Sequence, residues 1–291
     1  MVQLADGDIK TREVRGWKGL HLLHWTTSSC SQKTRIVLNL KGVPWESRLV
    51  SLRTNENFGD WFLGINPRGL VPVLVDDGAV HIESNDIIAH LEQKFPSPQL
   101  IPPGKEAEMQ RLLHEEDDLH LDLRTLTMRF VLPPQVSRKN PQALAGYASA
   151  APGTVHGVAD PRRPIEIDFW NTLAREGITD AAARASATKF QRTLNEMDAR
   201  LTNHRYLLGE TLSLADIAWF IYAYRIQLAD YPLVALHPRV GKWFTELMLR
   251  PEFAKELEAP GPMEATMKAH RETQRQNGSS LRHVMGWSLA A

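Results

Sequence analysis

Between residues 20 and 94 the apolar spacing changes between strand and helix periods in one order, β-α-β-α-β-β-α, and few folds accept that order. Residues 20–25 form a short apolar run suited to a buried strand. Thr26, Thr27, Ser28 and Ser29 interrupt it, and Ser29 with Gln32 has capping-box spacing ahead of Ile36, Val37, Leu38 and Leu40. Gly42 is placed to close that helix. Residues 45–52 resume as a strand, and a short irregular helix fits 58–64. Residues 71–75 are a strand opened by a proline, which suits an edge or a strand start. Asp76-Asp77-Gly78 is a turn signal leading to a strand over 79–82. A helix follows over 84–94, with Ile87, Ile88 and Leu91 on one face. The first strand–helix–strand unit predicts a parallel pair, and the final hairpin an antiparallel one.

After a proline-rich joint at 95–104 the pattern turns helical throughout. One long helical stretch is expected over 106–129 and another over 179–202. Residues 132–166, rich in proline and glycine, read as an irregular insertion with short helices. Ser213-Leu214-Ala215-Asp216 is a cap-type sequence ahead of an apolar helix to about 228, and 240–249 gives one more. The tail holds a polar helix candidate before Met285-Gly286-Trp287. The expected division is an extension at 1–19, a first domain at 20–95, an all-helical second domain at 105–258 containing the insertion, and a tail at 259–291.

Composition narrows the function. Lysine plus arginine equal aspartate plus glutamate at 34 each, which leaves no basic footprint for nucleic acid or anionic membranes. The single cysteine, Cys30, cannot form an intrachain disulfide and fits a reducing compartment. Residues 1–17 lack the apolar core of a secretion signal, and the longest apolar stretch, 217–223, is too short to cross a bilayer. A soluble cytoplasmic protein is expected.

Three local signals carry chemistry. Ser28-Ser29-Cys30-Ser31 lies where the first strand meets the first helix, and amide donors with the helix dipole favour an anion there. A hydroxyl at that place can keep a thiol ionised; the plain alternative is a helix cap. Asn66-Pro67-Arg68-Gly69-Leu70-Val71-Pro72 holds a valine–proline bond that is either cis, offering the Val71 backbone to an extended peptide, or an ordinary trans bond. Glu83-Ser84 opens the third helix, where amide and hydroxyl donors suit a carboxylate and Glu83 an ammonium; capping is again the alternative. His114 and His120 stand six apart in an acidic run, do not share a helix face and suggest no metal site. Trp170, Trp219 and Trp243 read as core aromatics.

Taken together and in this order, these segments resemble the glutathione transferase family. SSCSQKTRIVLNLKGV is similar to the first-helix motif of the zeta class and to a segment of bacterial reductive dehalogenases. NPRGLVPVLVDDG and ESNDIIAHLE resemble the family's cis-proline and γ-glutamyl motifs. LLGETLSLADIAWF and HPRVGKWFTELMLRPEF resemble its later helices, so the resemblance covers about residues 20 to 256. It implies a thioredoxin-like α/β domain that binds glutathione, then an all-α domain for a hydrophobic, aromatic electrophile. It also implies a dimer, homo- or heteromeric. By position, Ser28 would stabilise the glutathione thiolate, with Cys30 the second candidate. Val71 and Pro72 would meet the cysteinyl backbone, and Glu83 and Ser84 the γ-glutamyl group. Related sequences carry a lysine for the glycyl carboxylate where this chain has Phe58, with Asn57 beside it. Conjugation, aryl-ether cleavage, reductive dehalogenation and thiol-dependent isomerisation are all consistent with such a site. A non-catalytic binding module of the same fold is the alternative.

Overall fold

The computed structural model describes residues 2–258 and 261–287. In chain order its elements are β1 (Val2–Gln3), β2 (Leu20–His24), α1 (Ser29–Lys41), β3 (Glu46–Leu49), α2 (Asp60–Leu63), β4 (Val73–Asp76), β5 (Ala79–Ile82) and α3 (Ser84–Lys94). Then come α4 (Glu106–Asp118), α5 (His120–Leu126), α6 (Pro134–Ser137), α7 (Pro141–Ser149), the hairpin β6 (Thr154–Val155) and β7 (Val158–Ala159), and α8 (Arg162–Glu176). The chain continues with α9 (Asp180–Arg200), α10 (Leu214–Leu228), α11 (Leu233–Leu236), α12 (Pro238–Met248), α13 (Pro251–Ala254), α14 (Gly261–Gln276) and α15 (Leu281–Met285).

These elements form two compact units. One runs to Lys94 and takes in Arg138–Gly177; the other comprises Phe95–Ser137 and everything from Ile178. In the first, a five-stranded sheet has the order β1-β5-β4-β2-β3. β2 and β3 are parallel, as the strand–helix–strand rule predicts, and β4 and β5 are an antiparallel hairpin about the Asp77-Gly78 turn. Gly42 closes α1 at φ 62°, a left-handed C-cap. The α1 N-cap is Ser28, one residue before the serine of the capping-box spacing, and its Oγ accepts from the Ser31 N–H at 3.4 Å.

Two expectations are overturned. Residues 1–19 are not an appendage: β1 pairs with β5, Val2 opposite Ile82, and Leu4, Ile9 and Val14 enter the core with Leu23, Phe62, Val73 and Val80. Burial of isolated apolar residues in a polar segment covers an otherwise open β5 edge. The insertion, assigned by sequence to the helical domain, instead packs within the first unit from Arg138 to Gly177. Its own core is Leu144, Tyr147, Trp170 and Leu173, all buried. The tail expected at 259–291 is helical in α14 and α15 and falls in the second unit; Ala259, Pro260 and residues 288–291 lie outside the described residues.

The second unit is helical apart from an isolated bridge between Tyr206 and Gly209. The stretch predicted as one helix over 106–129 breaks at Leu119 (φ −88°, ψ 4°) into α4 and α5, followed by a π-helical turn at Thr127–Val131. Ser213 and Asp216 make the expected capping box at the head of α10. Asp216 also accepts from the Leu207 N–H and from Trp243 Nε1, both at 2.9 Å. Trp219 donates to the Leu112 carbonyl, and both tryptophans are core residues. His120 bonds the Tyr222 hydroxyl at 3.0 Å. Among the described residues no helix is long and apolar enough to cross a membrane.

Candidate functional site

Topology gathers the three sequence signals at one end of the sheet. β2 runs antiparallel to β4 with Leu23 opposite Val73, so the end of β2, and Ser28 after it, lies beside the start of β4. β5 runs back along β4 with Leu74 opposite His81, which brings Glu83 to that same end. Ser28, Val71–Pro72 and Glu83–Ser84 therefore come together although they are up to 56 positions apart. The Val71–Pro72 bond is cis. Lys33 of α1 reaches Asn85 of α3 at 2.6 Å, tying the two helix starts together.

The turn that carries Ser28 is fixed from below. Arg35, buried in α1, donates to the carbonyls of Trp25 at 3.3 Å and Thr26 at 2.8 Å, and to Nδ1 of His24 at 3.0 Å. Burial, with the Arg35 charge, pulls the His24 pKa down to about 4. A neutral His24 accepts at Nδ1 and so carries its proton on Nε2, which meets the Ser47 hydroxyl at 2.8 Å. Ser28 itself is half-buried at the first turn of α1, where four amides have no intrahelical acceptor. Cys30 is half-buried in the first turn of the helix and forms no disulfide; its carbonyl accepts from Thr34 Oγ1 at 3.1 Å.

Asn57 and Phe58 join the 66–70 loop to the insertion. Asn57 is buried, and its amide donates to the Gly69 carbonyl at 2.7 Å, holding the 66–70 loop from beneath. Phe58 is stacked on Tyr147 of α7 with ring centroids 4.3 Å apart and planes 9° apart. The ammonium of Lys139 lies 5.0 Å from the Phe58 ring and donates to the Leu52 carbonyl at 3.3 Å.

The insertion reaches further. Tyr147 donates its hydroxyl to the Arg68 carbonyl at 2.8 Å. Arg68 Nε donates to Asp160 at 2.6 Å, and its Nη1 pairs with Glu83 Oε1. Arg162 Nη1 donates to Glu83 Oε2 at 3.0 Å, and the Arg162 amide to Asp160 at 2.8 Å. Glu83 holds φ at 67°, uncommon for a residue with a side chain, so both its backbone and its carboxylate are set by their surroundings. At the other end of the insertion, His156 and Gly157 (φ 55° and 75°) form the two-residue turn of the β6–β7 hairpin. Their amides donate to the Asp8 carboxylate at 2.8 and 3.0 Å. Burial pushes the Asp8 carboxyl up, but donors from Thr154, Gly157, Ala5 and His156 outweigh it and hold the group below the usual carboxylate range.

Sequence reasoning missed Arg35, Tyr147, Asp160 and Arg162. Only Arg35 had a local signal, its place directly ahead of the apolar Ile36-Val37-Leu38; the others depend on partners 79 to 92 positions away.

The family model for the glutathione S-transferase N-terminal domain matches residues 27–94, and that for the C-terminal domain matches residues 180–246. The insertion lies outside both. Glutathione S-transferase Z1 of Arabidopsis thaliana is 41% identical over 87 residues, 30% of this chain and 39% of that protein. The chain spans just under two fifths of the length of this and similar curated glutathione S-transferases it matches. Protein LigF of Sphingobium sp. is 26% identical over 263 residues, covering 87% of this chain and 98% of its own. A solved structure of the β-etherase LigF from Sphingobium sp. strain SYK-6 superposes with a TM-score of 0.69 over 81% of this chain and 98% of its own. With the thioredoxin-like half matched at its first helix, cis-proline and third helix, and the helical half at α9 to α12, the chain carries the N- and C-terminal domains of the glutathione S-transferase family.

Proposed function

We propose that the chain is a glutathione-dependent enzyme that ionises the thiol of glutathione beside Ser28 and directs it at a hydrophobic aromatic electrophile. The observation that carries this reading is the convergence of Ser28, Val71–Pro72 and Glu83–Ser84 at one end of the sheet. A free thiol near pKa 8.5 to 9 is only a few per cent ionised at neutral pH, and depressing it by two units takes about 2.7 kcal/mol. The Ser28 hydroxyl and the open amides of the α1 first turn are donors of the right kind for that anion. Val71, ahead of the cis bond, offers its backbone N–H and C=O to the cysteinyl residue. Glu83 and Ser84 suit the γ-glutamyl group. Lys139, its ammonium 5.0 Å from the Phe58 ring, is a cation beside the position where related sequences keep a lysine for the glycyl carboxylate.

Among the reactions of such a thiolate, aryl-ether cleavage has the broadest support, because the likeness to LigF runs through nearly the whole of that protein. In that reaction the sulfur attacks the carbon bearing the ether oxygen, a C–S bond forms, the C–O bond breaks, and the aryloxide leaves to take a proton from solvent. The family resemblance also carries a dimer, which sedimentation of the purified protein would check.

Separate Ser28→Ala and Cys30→Ala variants test the reading. Loss of about a hundredfold in turnover with Ser28→Ala, and little change with Cys30→Ala, is expected for a hydroxyl-stabilised thiolate. The reverse pattern points to a mixed disulfide on Cys30. Calorimetry showing no saturation of folded wild type by glutathione would end the proposal. Saturation without turnover of any aryl ether, aryl halide or other electrophile favours a binding module, a reading to which Phe58 lends its weight.

A further inference from the structure

We propose that Arg162, delivered by the insertion, is the residue that recognises the α-carboxylate of the γ-glutamyl group, with Glu83 holding it in aim. The proposal rests on the reading that glutathione occupies this end of the sheet.

The two arginines on Glu83 are not equivalent. The Arg68 side chain is 10% exposed and faces Asp160, which is 3% exposed, so its charge is matched within the protein. The Arg162 side chain is 42% exposed and Glu83 20%. The more exposed members of the group are the Arg162 guanidinium and the Glu83 carboxylate, in contact with each other. That pair is complementary to a zwitterion. A γ-glutamyl head carries an α-ammonium and an α-carboxylate on one carbon, and each finds its opposite here. The ammonium can join Glu83, since a carboxylate accepts up to four hydrogen bonds. The carboxylate can lie against Arg162, whose planar fork suits two oxygens, with the Ser84 hydroxyl and the α3 amides behind it.

Preorganisation supports the assignment. Arg162 is positioned through its own backbone, by the Asp160 oxygen opposite the one that pairs with Arg68. The segment around it is fixed by the Phe58–Tyr147 stack, the Tyr147 hydroxyl on Arg68 and the Asp8 contacts to the hairpin. Side chains locked in this way lose little entropy when a ligand arrives. The thioredoxin-like strands and helices alone would offer Glu83 and Ser84 without an exposed cation beside them.

The test combines variants with trimmed ligands. Calorimetric affinities are measured for glutathione and for γ-aminobutyryl-Cys-Gly, which lacks only the α-carboxylate, on wild type, Arg162→Ala and Arg162→Lys. Wild type is expected to prefer glutathione by about 10- to 100-fold, the size of one charge-assisted pair. Arg162→Ala is expected to lose that preference to within about threefold while binding the trimmed peptide as wild type does. Arg162→Lys is expected to recover part of it. Equal weakening of both peptides by Arg162→Ala shows a scaffold role and overturns the proposal, as does a variant that still discriminates like wild type. Unfolding curves that match wild type establish that each variant is folded; if Arg162→Ala is not, Arg162→Lys with wild-type discrimination and affinity overturns the proposal. Absence of any glutathione binding by wild type overturns the functional reading with it, a different outcome from binding that ignores residue 162.

Discussion

His24 shows how one buried side chain carries a consequence for the whole first unit. Its pKa falls from the ordinary value near 6.5 to about 4, because burial and the Arg35 charge oppose protonation; His81 falls to about 4 through burial and the neighbouring His90. In both, the unfolded chain binds the proton first as pH drops. Stability is therefore complete above about pH 6.5 and is lost between 6.5 and 4, at up to about 1.4 kcal/mol per pH unit per histidine. Denaturant titrations between pH 7.5 and 4.5 should show this decline, and His24→Gln, which keeps both a donor and an acceptor, should flatten it. Parallel profiles for wild type and variant would exclude His24 as a source. Ser28, Val71 and Glu83 were visible in the sequence because each sits in a short motif. Arg162 was not, because its meaning depends on Glu83, 79 positions away.

Among the elements, those that close their own hydrogen bonds were the easiest to foresee. The Gly42 cap, the Asp77-Gly78 turn and the Ser213–Asp216 box each involve neighbours a few residues apart, and all stand where the spacing put them. Elements whose identity comes from packing were harder. β1 is two residues long, one half-buried and one exposed, so it has no apolar pattern to read. α7 reads as a small, alanine-rich helix, and only contact with Phe58 reveals Tyr147 as the peg that seats it. Tyr147→Ala should destabilise the first unit by about 3–5 kcal/mol, as for other fully buried aromatics. Tyr147→Phe keeps the stack and loses the bond to the Arg68 carbonyl, so it should cost about 1 kcal/mol, measured by chemical denaturation. Near-equal effects of the two changes would mean that the hydroxyl, not the ring, holds the insertion.

At the level of the molecule, the order of segments in the chain is not their grouping in space. A unit built from its start to Lys94 is completed by Arg138–Gly177, and periodicity has no way to announce a return of that kind. The amino-terminal segment belongs to the same body. Removing residues 1–16 would take Leu4, Ile9 and Val14 out of the core, at about 1.5–3 kcal/mol for each side chain, and uncover the edge of β5. The truncated chain is expected to melt earlier and to self-associate, which light scattering during a thermal ramp would register; an unchanged melt would place the segment outside the cooperative core. Asp8 then sets a rule for anyone grafting parts of this chain onto a relative. Its carboxylate is buried and is satisfied chiefly by Thr154, His156 and Gly157. A hybrid that kept the first twenty residues but took a shorter loop after α6 would strand an anion inside the protein with only the Ala5 amide left to it. The two pieces, almost 150 positions apart, travel between homologues as a matched set or not at all.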